Sequence, residues 1–314
     1  MLKQIDRRKF FKNTSLTTAG ILIGSRLTGY TSDAEHHEQK YDIMKELMKY
    51  RKIDAHDHVG LFGQLPEDAD NQLDMADRLG IEWLSISNPI TRKADELRPE
   101  AARERNDVIY KAMKKYPKRF IGFFTLNPLF QKESFEEIKR CADLGFAGYK
   151  GYTQVKVNDP LYYPIIEKLI DLKMICFMHA ECELGIGGYR MKYDTKTRPY
   201  ATIPEDMVDA AKRYPEAVFQ WAHIGGGGDW EYMCKSFINY PNIYVDTSGS
   251  NNEAGIIDGA IKMLGEDRLF FGSDNSYYQS VGKILASNAT ESQRKKIFFD
   301  NYNNILKKGG YNVY

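Results

Sequence analysis

The sequence predicts a single (β/α)8 TIM barrel, with room for distortion, whose active site lies at the C-terminal ends of the strands. Three observations lead there. Eight short, β-rich apolar runs alternate with longer stretches of helical periodicity, the pattern of a parallel sheet covered by helices. The chain has 314 residues, and one such barrel takes about 250. His56, His58, His179, His223 and Asp274 each end or closely follow one of the apolar runs. An open doubly wound sheet would spread those ends along a line, too far apart to share one ion. A closed barrel gathers them on one rim.

In order, the predicted strands are Arg51–His56, Glu82–Ser87, Phe120–Asn127, Ala147–Gly151, Met174–Ala180, Val218–Ile224, Ile243–Ser248 and Leu269–Ser273. Helices are expected around Asn71–Leu79, Pro99–Lys115, Phe135–Leu144, Tyr162–Leu172, Pro204–Arg213, Trp230–Asn239, Ile256–Leu264 and Glu291–Leu306. Ile165, Ile166, Leu169 and Leu172 share one helical face, as do Phe135, Ile138, Cys141 and Ala142. Gly80, Gly145 and Gly265 mark helix ends, and Pro204 marks a start. No internal repeat and no second domain emerge.

Hydrophobic residues make up 42% and charged residues 28%, which fits a soluble globular chain. The formal net charge of +1 hides an asymmetry. Met1–Tyr30 holds Lys3, Arg7, Arg8, Lys9, Lys12 and Arg26 against Asp6 alone, so it carries +5 and the remainder −4. A folded part that is mildly acidic argues against a nucleic-acid binder. The basic start precedes Leu16–Gly24, an apolar stretch too short to cross a bilayer. Residues 1–34 therefore read as an export signal and linker, and residues 35–314 as the barrel. Arg7-Arg8 followed by Lys-Phe-Phe-Lys resembles a twin-arginine signal, which implies a periplasmic destination and no stable membrane span. His36-His37 falls in the polar Ser32–Gln39 linker. Cys141, Cys176, Cys182 and Cys234 lack paired metal spacing and are expected to be reduced and structural.

His56 and His58, two residues apart on a strand, point to the same side. Strict alternation would put Asp54 with them and turn Ala55 and Asp57 away. Singly, His179 or His223 suits a satisfied core histidine, and Asp274 a helix cap. Five such residues at the ends of alternating β elements make coincidence the weaker reading. Imidazole and carboxylate donors of this kind build an open divalent site, probed at about 2.0–2.1 Å per donor.

The motifs Ile53-Asp-Ala-His-Asp-His58, Gly145-Phe-Ala-Gly-Tyr-Lys-Gly151, Phe177-Met-His-Ala180, Ala222-His-Ile-Gly-Gly226, Tyr244-Val-Asp-Thr-Ser-Gly249 and Phe271-Gly-Ser-Asp274 resemble the amidohydrolase superfamily. More narrowly, they resemble its amidohydrolase-related branch of hydrolases, lactonases and non-oxidative decarboxylases. The likeness runs from Ile53 to Leu306. It implies that His56, His58, His179 and Asp274 bind one divalent ion, zinc being favoured and manganese the alternative. It also implies that His223 is an acid/base beside the ion, with Asp274 both ligand and proton acceptor. Lys150 matches a lysine that related binuclear enzymes carbamylate to bridge two metals. Tyr152 stands where this branch often has a histidine, so one metal is the expectation and Lys150 is assigned to orienting substrate.

Glu181–Thr202 is the longest irregular stretch of the barrel, a place where function collects. Its cations, Arg190 foremost, would suit an anionic substrate. Gly225–Gly228 is expected to let backbone turn closely around the site, and Tyr277 and Tyr278 to wall it.

The reaction ranked first on these grounds is hydrolysis of an amide, lactone or ester in a small carboxylated molecule by metal-activated water. The alternative is a decarboxylase or hydro-lyase on the same ligands, and the rival from another class is a metal binder without catalysis. The partner expected is a small molecule, with a homodimer as the one assembly left open.

Overall fold

A computed structural model of the protein describes residues 42–59, 69–91, 96–182, 200–224, 228–249, 251, 253–311 and 313. The export signal, His36-His37, Arg190 with most of its loop, and Gly225–Gly227 lie outside the described residues.

Eight parallel strands run in the order of the chain: β1 Lys52–His58, β2 Ile81–Ser87, β3 Phe120–Phe124, β4 Gly148–Gly151, β5 Ile175–His179, β6 Val218–Ala222, β7 Ile243–Asp246 and β8 Leu269–Phe270. Closure comes from the chain just after β8. Phe271 O accepts from Ala55 N at 2.8 Å, and His56 O accepts from Ser273 N at 3.2 Å and Asp274 N at 2.7 Å. The expected (β/α)8 barrel is present.

Helices alternate with the strands: α1 Ile43–Leu47, α2 Asp70–Arg78, α3 Ala101–Lys115, α4 Gln131–Asp143, α5 Tyr163–Asp171, α6 Pro204–Arg213, α7 Trp230–Phe237, α8 Ile256–Leu264, α9 Tyr277–Leu285, α10 Glu291–Lys295 and α11 Asn301–Lys308. Pro204 starts α6, and Gly80, Gly145 and Gly265 follow their helices with φ of 65°, 83° and 83°, a region that costs glycine nothing. The expected terminal helix is broken into three. Lys296–Asp300 widens into a π turn, and there Ile297 O accepts from Phe271 N at 2.9 Å. A helix carbonyl taken by an outside amide disturbs the regular ladder.

Strand parity sorts the core into two faces. Phe120 and Phe124 on β3, Cys176 and Met178 on β5, and Phe219 and Trp221 on β6 pack with helix residues such as Ile138, Ile165 and Met207. Ile121, Phe123, Ile175, Phe177 and Phe270 form the inner cluster, joined by Phe299, Tyr302 and Ile305 from the terminal helical stretch. The same alternation puts Lys150, His179, Gln220 and Asp246 on the inner face. In β1 the alternation fails, because the pairing with β2 slips between Asp54 and Asp57. That irregularity brings His56 onto the inner face, where its ring meets Phe177 edge-on at 4.6 Å.

Candidate metal centre

His58 and His179 are the last residues of β1 and β5, and His223 follows the end of β6 directly. Asp274 sits in the turn beyond β8, where it and Asn275 take left-handed φ of 51° and 62°. Asp and Asn tolerate that region better than other non-glycine residues. Asn275 Nδ2 donates to His58 O at 3.1 Å, tying this turn to β1.

The donors converge. His56 Nε2 lies 3.2 Å from His58 Nε2, and Asp274 Oδ1 lies 3.5 Å from the first and 3.1 Å from the second. Donors held at 2.0–2.1 Å from one ion stand about 2.9–3.4 Å apart. Hydrogen-bond partners sharpen the fit. The Ser87 carbonyl, 3.1 Å from His58 Nδ1, can only accept, and Ser87 Oγ at 3.0 Å can accept as well, an arrangement that favours the proton on Nδ1. His56 Nδ1 meets the Asp246 carboxylate at 3.1 Å, with the same result. Two bare Nε2 lone pairs thus face each other, an arrangement that a cation between them satisfies.

His223 joins the group at longer range: one donor atom each of His56, His223 and Asp274 lie within 4.8 Å of one another. His179 borders the group, its ring centred 5.3 Å from that of His223. Its buried Nε2 has no hydrogen-bond partner among the described residues, although Glu181 Oε1 is 3.5 Å away. Tyr152 lies against His179, ring centres 4.2 Å apart, in the place where the resemblance led one to look for a histidine. The donor set fits one divalent ion.

Burial sets the protonation states. It lowers the His56 imidazole, helped by the nearby Lys150 charge, to about 4. It also holds His223 well below the ordinary range and lowers His179. Burial works against ionising Asp274, but His56, His58 and His223 outweigh it and keep the carboxyl ionised. Burial would raise Asp246 too, yet its contact with His56 brings it down to about 2. Lys150 is fully buried, with Nζ 3.2 Å from His56 Nε2 and 3.5 Å above the centre of the Phe177 ring. Desolvation lowers it to about 7.

Several expectations are corrected here. The Tyr277 hydroxyl donates to Asp57 Oδ2 at 2.6 Å, buried between α9 and β1, and Tyr278 is exposed with its hydroxyl on Met75. Asp54 spends Oδ1 on the amides of His56 and Ser273 instead of offering it to the donor cluster. Sequence reasoning assigned no role to Ser87, Asp246, Ser248 or Glu181. For Asp246 and Ser248 the signal was available: Tyr244, Asp246 and Ser248 alternate along one strand, so two polar groups extend an inward face at a strand end.

A family model described as Amidohydrolase matches residues 53–301. The chain is 26% identical over 289 residues to gamma-resorcylate decarboxylase of Rhizobium sp. (strain MTP-10005), covering 77% of this chain and 88% of that protein. Its fold is similar to that of 2,6-dihydroxybenzoate decarboxylase complexed with 2,6-dihydroxybenzoate, with a TM-score of 0.64, 21% identity, and coverage of 82% and 99%. It is likewise similar to a dihydroxybenzoic acid decarboxylase from Polaromonas sp. JS666 with bound manganese and 2-nitroresorcinol, at TM-score 0.64, 20% identity, and coverage of 82% and 97%. These relatives overturn the ranking that put hydrolysis of an amide, lactone or ester first. The error has a physical source: an open Lewis acid with a base beside it serves hydrolysis and decarboxylation alike, so the ligand pattern could not separate them.

Proposed function

This chain belongs to the amidohydrolase family, and from that premise we propose that it is a metal-dependent, non-oxidative decarboxylase of a small hydroxylated aromatic carboxylate. The observation that carries the reading is the triangle of His56 Nε2, His58 Nε2 and Asp274 Oδ1, with sides of 3.1–3.5 Å, in a chain similar in sequence to gamma-resorcylate decarboxylases. His56, His58 and Asp274 would hold one divalent ion, with His179 as a further ligand. Manganese is favoured over zinc, because a similar fold carries it. When bound, the ion supplies a fixed positive charge for a substrate carboxylate or phenolic oxygen.

The chain's own groups do the rest. Lys150 adds a buried amine on the same inner face, a hydrogen-bond donor able to orient an anion. Arg190, outside the described residues, is proposed for the same task. Loss of carbon dioxide leaves an electron pair on the ring carbon, which a proton must take up. His223 and Asp274, with Nδ1 and Oδ2 3.6 Å apart, are the pair proposed to deliver it. Tyr152 offers an aromatic wall for a planar ring. Residues 1–34 are proposed as a twin-arginine-type signal. That route carries folded proteins and so would export a barrel already loaded.

The test is carbon dioxide release from 2,6-dihydroxybenzoate and isomeric hydroxybenzoates by manganese-loaded protein, with metal content measured in parallel. Wild type is expected to bind about one ion and to release carbon dioxide from a member of the panel; His56→Ala is expected to lose both. Turnover that survives His56→Ala, or a loaded wild type inert on the whole panel, would sink the proposal.

A further inference from the structure

We propose that Ser248 is a positioning residue that sets the tautomer of His223 and, together with Asp246, that of His56. The decarboxylase reading bears only on what the rings are then used for; the tautomers themselves follow from hydrogen-bond bookkeeping around one hydroxyl.

Ser248 is fully buried. Its Oγ meets three groups: Asp246 Oδ1 in a very short contact, His223 Nδ1 at 2.8 Å and His56 Nδ1 at 3.1 Å. A hydroxyl has one proton to give and two lone pairs to receive. Asp246 Oδ1 already accepts the Ser248 amide at 3.1 Å, and an ionised carboxylate can only accept. The hydroxyl proton therefore goes to Asp246. Both imidazoles must then donate from Nδ1, which leaves Nε2 of each ring bare. His56 has a second acceptor at Nδ1 in Asp246 Oδ2, 3.1 Å away. His223 depends on Ser248, since its next acceptor among the described residues, Asp274 Oδ2, is 3.6 Å from Nδ1.

The surroundings hold Ser248 in register. Lys283 Nζ donates to Thr247 O at 3.0 Å and to Gly249 O at 3.1 Å, the carbonyls on either side of it. The consequence concerns the direction of proton traffic. With Nε2 bare, His223 enters the cycle as a proton acceptor. It must take a proton on Nε2 before it can pass one to the ring carbon that loses carbon dioxide. Ser248 and Asp246 stand behind Nδ1 to hold the imidazolium formed in between.

The experiment is long-range 1H–15N NMR of the full-length, metal-free protein labelled at histidine. The chain has only six histidines, assignable with single His→Gln variants. His56 and His223 are expected to show the Nδ1–H pattern. In Ser248→Ala, His223 should lose the pure Nδ1–H pattern while His56, still held by Asp246, keeps it; Ser248→Thr should restore His223. An Nε2–H pattern for His223 in wild type overturns the assignment, and no variant is needed for that outcome. So does an unchanged His223 in folded Ser248→Ala. Because neither metal nor substrate is present, these outcomes stand apart from the success or failure of carbon dioxide release. On a substrate that wild type turns over, Ser248→Ala should lower kcat by about 10–100-fold, with KM little changed and activity recovered in Ser248→Thr.

Discussion

Replacing Gly249 with alanine tests how tightly the site is built. Gly249 has φ of 91°, and a Cβ there would stand 2.7 Å from His223 Cβ and 3.2 Å from its Cγ. Relief to ordinary van der Waals contact needs a displacement of roughly 1 Å. The backbone of His223 resists it, because Trp221 Nε1 donates to His223 O at 2.8 Å. The left-handed conformation costs an L residue about 1–2 kcal/mol, and overpacking a full core about 1–3 kcal/mol. Gly249→Ala should therefore lose about 2–5 kcal/mol in urea unfolding. A misplacement of that size can also cut turnover by about 100-fold. Gly255→Ala is the matched control. It is left-handed with φ of 80° and ψ of 3°, and no described residue lies within 4 Å of the new methyl, so it should lose only the conformational part and keep its activity. If the two variants matched in stability and in turnover, the claim that Gly249 exists to seat His223 would be wrong.

Two further outcomes test the scaffold. Lys52 is buried, donates to Leu47 O at 2.6 Å and Tyr50 O at 2.8 Å, and is lowered by desolvation from 10.5 to about 8. The folded state thus sheds the proton near pH 8 and the unfolded chain only near 10.5, so stability contributed at Lys52 rises with pH across that window. The gap in unfolding free energy between wild type and Lys52→Met should grow in favour of wild type by about 3 kcal/mol between pH 7 and 10.5; a flat gap would refute the assignment. Tyr277→Phe removes the 2.6 Å donor to buried Asp57 and should cost about 1–3 kcal/mol by thermal or urea denaturation, a loss that fails to appear if another group serves Asp57.

Much of the fold was legible because local chemistry and burial agree. In α6 and α8 the expected ends, Pro204–Arg213 and Ile256–Leu264, coincide with the observed ones, since proline starts the first and Gly265 stops the second. Elsewhere local signals were silent. The helix at Tyr277–Leu285 went unforeseen: its sequence opens with two tyrosines and contains Gly282, and its inward face of Tyr277, Ser280, Val281, Ile284 and Leu285 gains meaning only once it packs. Leu269–Ser273 looked like a full strand but is regular for two residues. Beyond them, the amides of Phe271, Ser273 and Asp274 go to Ile297 O and His56 O, partners far away in sequence.

By itself, the sequence determined that this chain alternates strands and helices into one barrel and that His56, His58, His179, His223 and Asp274 stand at or near strand ends. Both depend on side-chain type and short-range periodicity, which are local quantities. Tertiary structure alone decided which nitrogen of His56 and His58 is bare, that His223 Nδ1 comes to 3.6 Å from Asp274 Oδ2, and that Ser248 joins two histidines. Those properties belong to contacts between residues far apart in the chain, such as His56 with Asp246, 190 positions away. Protonation and tautomer are set by whichever groups the closed barrel brings to each ring nitrogen, and no window of sequence contains both partners.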